Sequence, residues 1–308
     1  MNRTSEGFGL GWLPDHPDFR DFTASRGRPA GASKEPPEEK ARDLPELLDE
    51  LHVKEPEAEE IPASFDLSER FPPVEDQGTL GSCTANAGVG LLEYFELQAS
   101  GRYLDASRLF LYKATRNLMG LTGDTGAYLR TTMQAMVLFG IPPEEYWPYD
   151  ATTFDVEPSA FYYSFAQNYR SIEYYRLDPP GVSPDELLSR IKTNIAAKLP
   201  SMFGFTIFSS YTQGRATGAI PYPVPNDRRV GGHAVVACGY DDARTIRNSA
   251  TGAEETVGAL RIRNSWGPGW GEAGYGWLPY DYVRKGLAID WWSLMKADWV
   301  DSHVFGLS

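Results

Sequence analysis

The sequence predicts an α+β fold, and three observations carry the prediction. Between residues 81 and 198 apolar residues recur at helical spacing. After Leu199 the texture changes to short stretches rich in β-branched and aromatic residues, bounded by Gly, Pro or Asp. Across all 308 residues, 42% hydrophobic and 13% aromatic content is a globular composition. A helical half followed by a strand-rich half leaves a cleft between them as the natural site for chemistry.

Residues 1–23 carry Phe8, Trp12, Phe19 and Phe22 around PDHPDFRDF, enough apolar surface to dock on something. Residues 24–60 have no aromatic residue, five prolines, and eleven acidic against six basic residues. Such a stretch cannot bury enough apolar surface to offset its ordering entropy and reads as a linker. One island interrupts it: Leu44, Leu47, Leu48 and Leu51 fall on one face of a short helix. From Ile61 the composition is globular, so we divide the chain into an extension, 1–60, and a main domain, 61–308. Within that domain the pattern predicts helices over 81–99, about 105–117, 127–139 and 184–198, the last opened by Ser183 or Pro184. Strands are predicted at 202–210, 233–242, 260–266 and 275–283. ARTIRNSATGAEETVG (243–258) reads as a polar hairpin extension.

Charge and cysteine usage exclude several classes. A net charge of −13 argues against a general nucleic-acid binder. No segment reaches eighteen consecutive apolar residues, so no membrane span is expected. The N-terminus has no basic start followed by an apolar stretch, so no secretory signal is expected. Cys83 and Cys238 alone make no disulfide framework, and a reducing, cytoplasmic setting is the simplest expectation, with export by a route lacking an N-terminal signal as the alternative. No metal-ligand spacing or phosphate loop stands out, so no cofactor or metal is expected.

The chemistry is concentrated in DQGTLGSCTANA (76–87), GGHAVVACGY (231–240) and LRIRNSWGPGWGEAGYG (260–276). A thiol is a strong nucleophile as thiolate, which needs a base or cation beside it, commonly a histidine. That histidine needs a group to hold its ring, and acyl transfer needs a donor aimed at the oxyanion. Cys83, His233, Asn264 and Gln77 supply one residue of each type. Cys83 also falls at the start of a predicted helix, where free backbone N–H groups favour an anion. Cys238 reads as core packing. Asn248, in a second Arg-Asn-Ser triplet that lacks the following Trp-Gly, reads as loop. His16, His52 and His303 read as exposed, and Trp270 and Trp277 as core.

These segments, with GDTGAYLRTTMQAMVLFGIPPEEYWPY (123–149) between them, resemble the papain-like cysteine peptidases over roughly residues 62–292. The resemblance implies a two-lobed fold, with a helical left lobe, an antiparallel β-barrel-like right lobe, and the active-site cleft between them. It implies Cys83 as nucleophile in an ion pair with His233, Asn264 orienting the imidazole, and Gln77 donating to the oxyanion. Trp266 would shield the His233–Asn264 hydrogen bond. Gly126 would pair with a substrate backbone, and Gly231 and Gly232 would line the pocket for the second residue before the cut. The partner it implies is a peptide or protein substrate.

Departures from the family pattern add expectations. Thr84 follows the nucleophile where animal and plant members usually carry an aromatic, which is similar to a bacterial branch of the family, of the xylellain kind. Two glycines before His233 leave the adjoining pocket wide. The long cathepsin-type pro-region is replaced by a shorter N-terminus, which we expect to dock on the domain and partly occlude the cleft, through residues 1–23 or the leucine face at 44–51. The function expected is a cysteine endopeptidase, made as a zymogen restrained by this segment. The alternatives are a narrow-specificity acyl-transfer enzyme (an exopeptidase, deamidase or transpeptidase) and a non-catalytic peptide-binding module.

Overall fold

The computed structural model describes residues 2–18, 21, 61–167 and 172–296. Phe19, Phe22, the whole acidic linker 24–60 with its leucine face at 44–51, His52 and His303 lie outside them.

Helix α1, Cys83–Ser100, is the spine of the helical lobe. Its residues from Cys83 to Phe95 are all buried, and Gly101 stops it in a left-handed conformation (φ 66°), its N–H returning to the Leu97 carbonyl. Helix α2, Arg108–Leu118, is capped by the Ser107 hydroxyl on the Phe110 N–H. Helix α3, Leu129–Phe139, packs on both. The lobe is completed by the short α4, Ala160–Ala166. Helix α5, Pro184–Ala196, starts as expected, with Ser183 accepting from the Glu186 N–H and Pro184 in the first turn.

The second lobe is a seven-stranded antiparallel sheet. Strands β4 (Ile172–Arg176), β5 (Ser201–Phe208), β6 (Arg229–Arg247), β7 (Glu255–Arg263), β8 (Tyr275–Pro279) and β9 (Ala288–Lys296) run in the order β4-β9-β5-β6-β7-β8, and β3 (Ser64–Asp66) pairs with β6. The sheet is not closed into the barrel that the family likeness led us to expect: β4 and β8 stand at opposite edges. The expected strand at 275–283 is also shorter. Pro279, which has no N–H to give a ladder, ends it, and α6 (Tyr280–Arg284) follows. The polar hairpin is present as the far ends of β6 and β7, with Thr245 opposite Val257 and Arg247 opposite Glu255. Core residues Val89, Leu92 and Phe95 of α1 share one cluster with Val235, Ala237 and Cys238 of β6, so the helix lies on the sheet.

A third element lies outside both lobes. Strands β1 (Asn2–Arg3) and β2 (Gly9–Leu10) form a small hairpin, and the chain continues from it as an extended strip across the junction of the lobes.

Candidate active site

The sheet register places the histidine and asparagine segments side by side. Val236 of β6 pairs with Arg263 of β7, so His233 stands three residues before that pair and Asn264 immediately after it. An isolated bridge, Asp76 to Trp266, and the bond from the Gln77 N–H to the Ser265 carbonyl (2.9 Å) bring in the 76–83 stretch. Cys83 then opens α1.

His233 Nε2 lies 2.8 Å from Asn264 Oδ1. The Ser265 N–H donates to that same oxygen at 2.8 Å, which fixes the amide's orientation and requires Nε2 to carry the proton. Among the described residues His233 Nδ1 has no hydrogen-bond partner. Trp266 stacks on the imidazole (4.5 Å, 23°) and is itself stacked by Phe8 on a nearly parallel ring plane (4.9 Å, 9°). Gln77 Nε2 donates to the carbonyls of Leu80 (2.7 Å) and Gly9 (3.1 Å), while its Oε1 accepts from the Ser265 hydroxyl at 2.5 Å. Ser265 thus orients the amides of both Gln77 and Asn264, a role its position between Asn264 and Trp266 did not announce.

Residues 9–13 lie over these groups. The Gly9 N–H donates to the Gly78 carbonyl (3.1 Å), Trp12 N–H to Gly232 (3.3 Å), Leu13 N–H to Ala127 (3.0 Å), and Ala127 N–H to Gly11 (2.8 Å). The Trp12–Ala127 bridge is parallel. Only glycine fits at two positions of the strip: a methyl on Gly9 would overlap the Leu80 carbonyl, and one on Gly11 the Gly81 carbonyl. Gly126 (φ 78°) is as close from the other side, because a methyl there would overlap the Gly11 carbonyl. Its own N–H donates to the Tyr112 hydroxyl, so Ala127 makes the backbone pairing. Gly231 lies opposite Ile207 in the β5–β6 ladder, and Gly232 abuts Trp12. FGLGW, with glycine at alternate positions before a tryptophan, was the sequence signal for this approach.

Cys83 and His233 are both fully buried beneath the strip. Burial pushes the Cys83 thiol up to about 11, opposed by the facing backbone amides of Ala234, Gly11, Thr84 and Trp12. Burial also lowers His233 to about 4, opposed by the bond to Asn264. Both groups are therefore neutral here, whereas the ion pair implied by the resemblance needs a more polar surrounding. Asn248 sits apart from the site, held by the Tyr222 carbonyl, Asp227 and Gln213. Cys238 is buried in the core, its thiol directed at the Arg261 carbonyl. Glu75, Asp105 and Glu144 gather their carboxylates within 4.8 Å, but Arg108 bonds to both Glu75 and Glu144 at 2.8 Å and acts as their counter-ion.

A model of the papain family of cysteine proteases matches residues 61–288. The chain belongs to this family. It is 34% identical over 227 residues to an uncharacterised peptidase C1-like protein of Acanthamoeba polyphaga mimivirus, covering 72% of this chain and 69% of that one. Cathepsin K of Gallus gallus is 29% identical over 66% of this chain, which spans 54% of that protein's length. Among solved structures, xylellain, a cysteine protease from Xylella fastidiosa, superposes with a TM-score of 0.71 at 31% identity, covering 96% of this chain and 98% of that one. The proform of digestive procathepsin L 3 of Tenebrio molitor shares the fold at a TM-score of 0.56 and 18% identity, over 91% and 77% of the two chains. Among the described residues no helix is long and apolar enough to cross a membrane.

Proposed function

We propose that this papain-family protease is an endopeptidase working through Cys83, His233, Asn264 and Gln77, and that its own residues 2–13 restrain it. The observation that carries the reading is the bond from Gln77 Nε2 to a main-chain carbonyl of the strip, that of Gly9, while the backbone of Gly11 and Trp12 in the same strip faces the buried thiol. The amide that would hold a substrate's oxyanion here holds the protein's own backbone.

The chemistry follows from the donor assignments. With Nε2–H tied to Asn264, the free lone pair of His233 is on Nδ1, which takes the Cys83 proton once the cleft opens to water. The thiolate sulfur attacks the scissile carbonyl carbon, and the resulting oxyanion accepts from Gln77 Nε2 and the Cys83 N–H; one such donor is worth about 2.7–4 kcal/mol. The proton on Nδ1 passes to the leaving amine as the C–N bond breaks, leaving a thioester. His233 then takes a proton from water, which attacks the thioester, and returns it to sulfur as the acid departs. Trp266, stacked on the imidazole, keeps water from the His233–Asn264 bond, where a lower dielectric strengthens it.

The test compares the full chain with one beginning at residue 61, using fluorogenic dipeptide amides and an irreversible epoxide that alkylates active-site thiols. The shorter chain should turn over the amides and be labelled at Cys83, and Cys83→Ser should abolish both. Equal rates from the two folded proteins would refute the restraint. A folded shorter chain that neither labels nor turns over would refute the catalytic assignment.

A further inference from the structure

The slot that holds the N-terminal strip has two walls, and one carboxylate joins them. Trp12 turns its indole into a pocket between Gly204 of β5, Gly232 of β6 and Asp290 of β9, where Nε1 donates to Asp290 Oδ2 at 3.0 Å. Gly11, the residue before it, lies between the walls. A methyl on Gly11 would overlap the Gly81 carbonyl, and one on Gly126 would overlap the Gly11 carbonyl. The Gly81 wall leads in two residues to Cys83. The Gly126 wall leads to Ala127, whose N–H and carbonyl pair with Gly11 and Leu13. Nothing covalent spans the slot, since both cysteines of the chain are free.

Asp124 spans it with hydrogen bonds. Its Oδ1 accepts from the Gly81 N–H at 3.0 Å and from the Tyr112 hydroxyl at 2.7 Å. Having given its proton there, the Tyr112 oxygen accepts from the Gly126 N–H at 3.0 Å. An amide of each wall is thus directed at the same carboxylate oxygen, one directly and the other through a phenol. Bonds to an ionised acceptor are shorter and about twice as strong as neutral ones. Burial raises the Tyr112 phenol well above its ordinary value, so it stays protonated and remains the donor in this relay.

Helix α2 keeps the relay rigid. Tyr112 is fully buried, and Arg116, one turn on, lays its guanidinium over the ring at 4.2 Å. Arg116 Nη1 donates to the Gly123 carbonyl (2.5 Å) and to Asp155 (2.7 Å), while Asp155 accepts from the Gly123 N–H at 2.9 Å. The turn leading into Asp124 is therefore fixed at both its N–H and its carbonyl. The loop before the nucleophile has a separate tie: the Tyr149 hydroxyl donates to the Gln77 carbonyl (2.9 Å) and accepts from the Ser82 hydroxyl (2.6 Å). Loss of Asp124 would free the amides of Gly81 and Gly126, yet Gln77, Ser82 and the start of α1 would keep their own support.

We propose that Asp124 is a positioning residue of the peptidase: by tying the Gly81 wall to the Gly126 wall, it holds a substrate main chain paired with Ala127 in register with the Cys83 thiol. The inference rests on the peptidase reading above. The edge at Ala127 already pairs with an extended main chain, that of the strip, so a peptide can use the same N–H and carbonyl. A misplacement of about 1 Å at a reacting centre costs on the order of 10²-fold in rate. With the walls untied, a peptide would still pair with Ala127 but would bring its carbonyl to the thiol less often. Such a loss lowers kcat more than it raises KM.

The test uses the full chain carrying Gly11→Ala and Trp12→Ala, which displace the strip even where Gly81 is free to yield. Three readouts are compared: turnover of N-blocked dipeptide coumarin amides, turnover of N-blocked single-residue amides too short to pair with Ala127, and alkylation of Cys83 by iodoacetamide, which needs no pairing. Asp124→Ala should lower kcat for the dipeptide amides about tenfold or more, and change the other two rates by less than about threefold. Asp124→Asn, whose amide oxygen can accept from the same two donors, should stay within about threefold of its parent throughout. Tyr112→Phe, which unties Gly126 alone, should repeat the Asp124→Ala pattern more mildly. An equal fall in all three readouts, an unchanged dipeptide rate, or Asp124→Asn falling as far as Asp124→Ala would overturn the inference alone. No turnover and no epoxide labelling in the parent would overturn the peptidase reading and this inference with it.

Discussion

Gly11→Ala isolates the proposed restraint from the proposed catalytic groups. The added methyl would overlap the Gly81 carbonyl oxygen, and Gly81 cannot easily yield, because its N–H is tied to Asp124 (3.0 Å) and Cys83 follows two residues later. The strip must move instead. The bonds nearest the displaced residue, Ala127 N–H to Gly11 and Trp12 N–H to Gly232, are lost first, at about 0.5–1.5 kcal/mol each. Drawing Trp12 from its pocket removes a further ~1.5–3 kcal/mol of apolar burial. The sum, about 2.5–6 kcal/mol, makes the open state roughly 10²–10⁴-fold more populated at about 1.4 kcal/mol per decade. The rate of epoxide alkylation at Cys83, followed by intact mass, reads that population, and fluorogenic turnover should rise with it. A folded Gly11→Ala chain labelled within about threefold of wild type would refute the reasoning, since the strip would then not be what limits access.

Two further variants probe the machinery and the anchor. Ser265→Ala, placed in the Gly11→Ala chain, frees the Gln77 amide to rotate and should lower kcat/KM about tenfold, less than loss of the donor itself; unchanged kinetics would mean that the bond to Leu80 alone orients Gln77. Arg130→Ala removes the cation that gathers Asp15 (3.2 Å), Asp18 (3.7 Å) and Asp21 (3.1 Å), and at about 0.2–1 kcal/mol per pair should raise labelling of the otherwise native chain several-fold. High salt should mimic that change in wild type and do little in the variant.

Much of the fold was legible because its elements are locally determined. Ser183-Pro184 opens α5 by side-chain chemistry visible in the sequence, and Gly101 ends α1 for the same kind of reason. The proposed quartet stands out in the sequence because its segments are short and chemically specific. What the sequence concealed depends on chain crossings. Asp290 reads only as an isolated charge within AIDWW, and its bond to the Trp12 indole emerges only with the bulge in β9 and the chain crossing that brings Trp12 over it. Closure of the sheet depends on long-range pairing, and nothing local indicates that β4 and β8 stay apart. That part of the segment docks could be expected from its aromatics, but not that Trp12 enters a pocket while Phe8 covers Trp266.

The protonation states under the strip bear on what could release it. Docking leaves Cys83 as thiol and His233 as neutral imidazole, while the working pair in the proposed mechanism is thiolate and imidazolium. Opening therefore moves one proton from sulfur to Nδ1 and exchanges none with solvent, so these two groups cannot make docking pH-dependent near neutrality. Asp290 can. Its carboxyl is raised to about 7 by burial in the docked state and should fall toward the ordinary aspartate value of ~3.9 when water enters the pocket. The docked state thus binds the extra proton between those values. Its contribution to docking is complete below about 4 and is lost as pH rises through about 7. Asp21, also raised by burial, acts in the same direction. Each tenfold change in proton affinity that the strip itself imposes is worth about 1.4 kcal/mol, and hence a tenfold change in opening. The ratio of wild-type to Gly11→Ala labelling rates cancels the thiolate's own pH dependence, and we expect it to climb from pH 4 to pH 8. Asp290→Asn, in both chains, should flatten most of that climb. A ratio that falls with pH, or one that rises equally in the Asp290→Asn pair, would place the pH sensitivity elsewhere in the anchor.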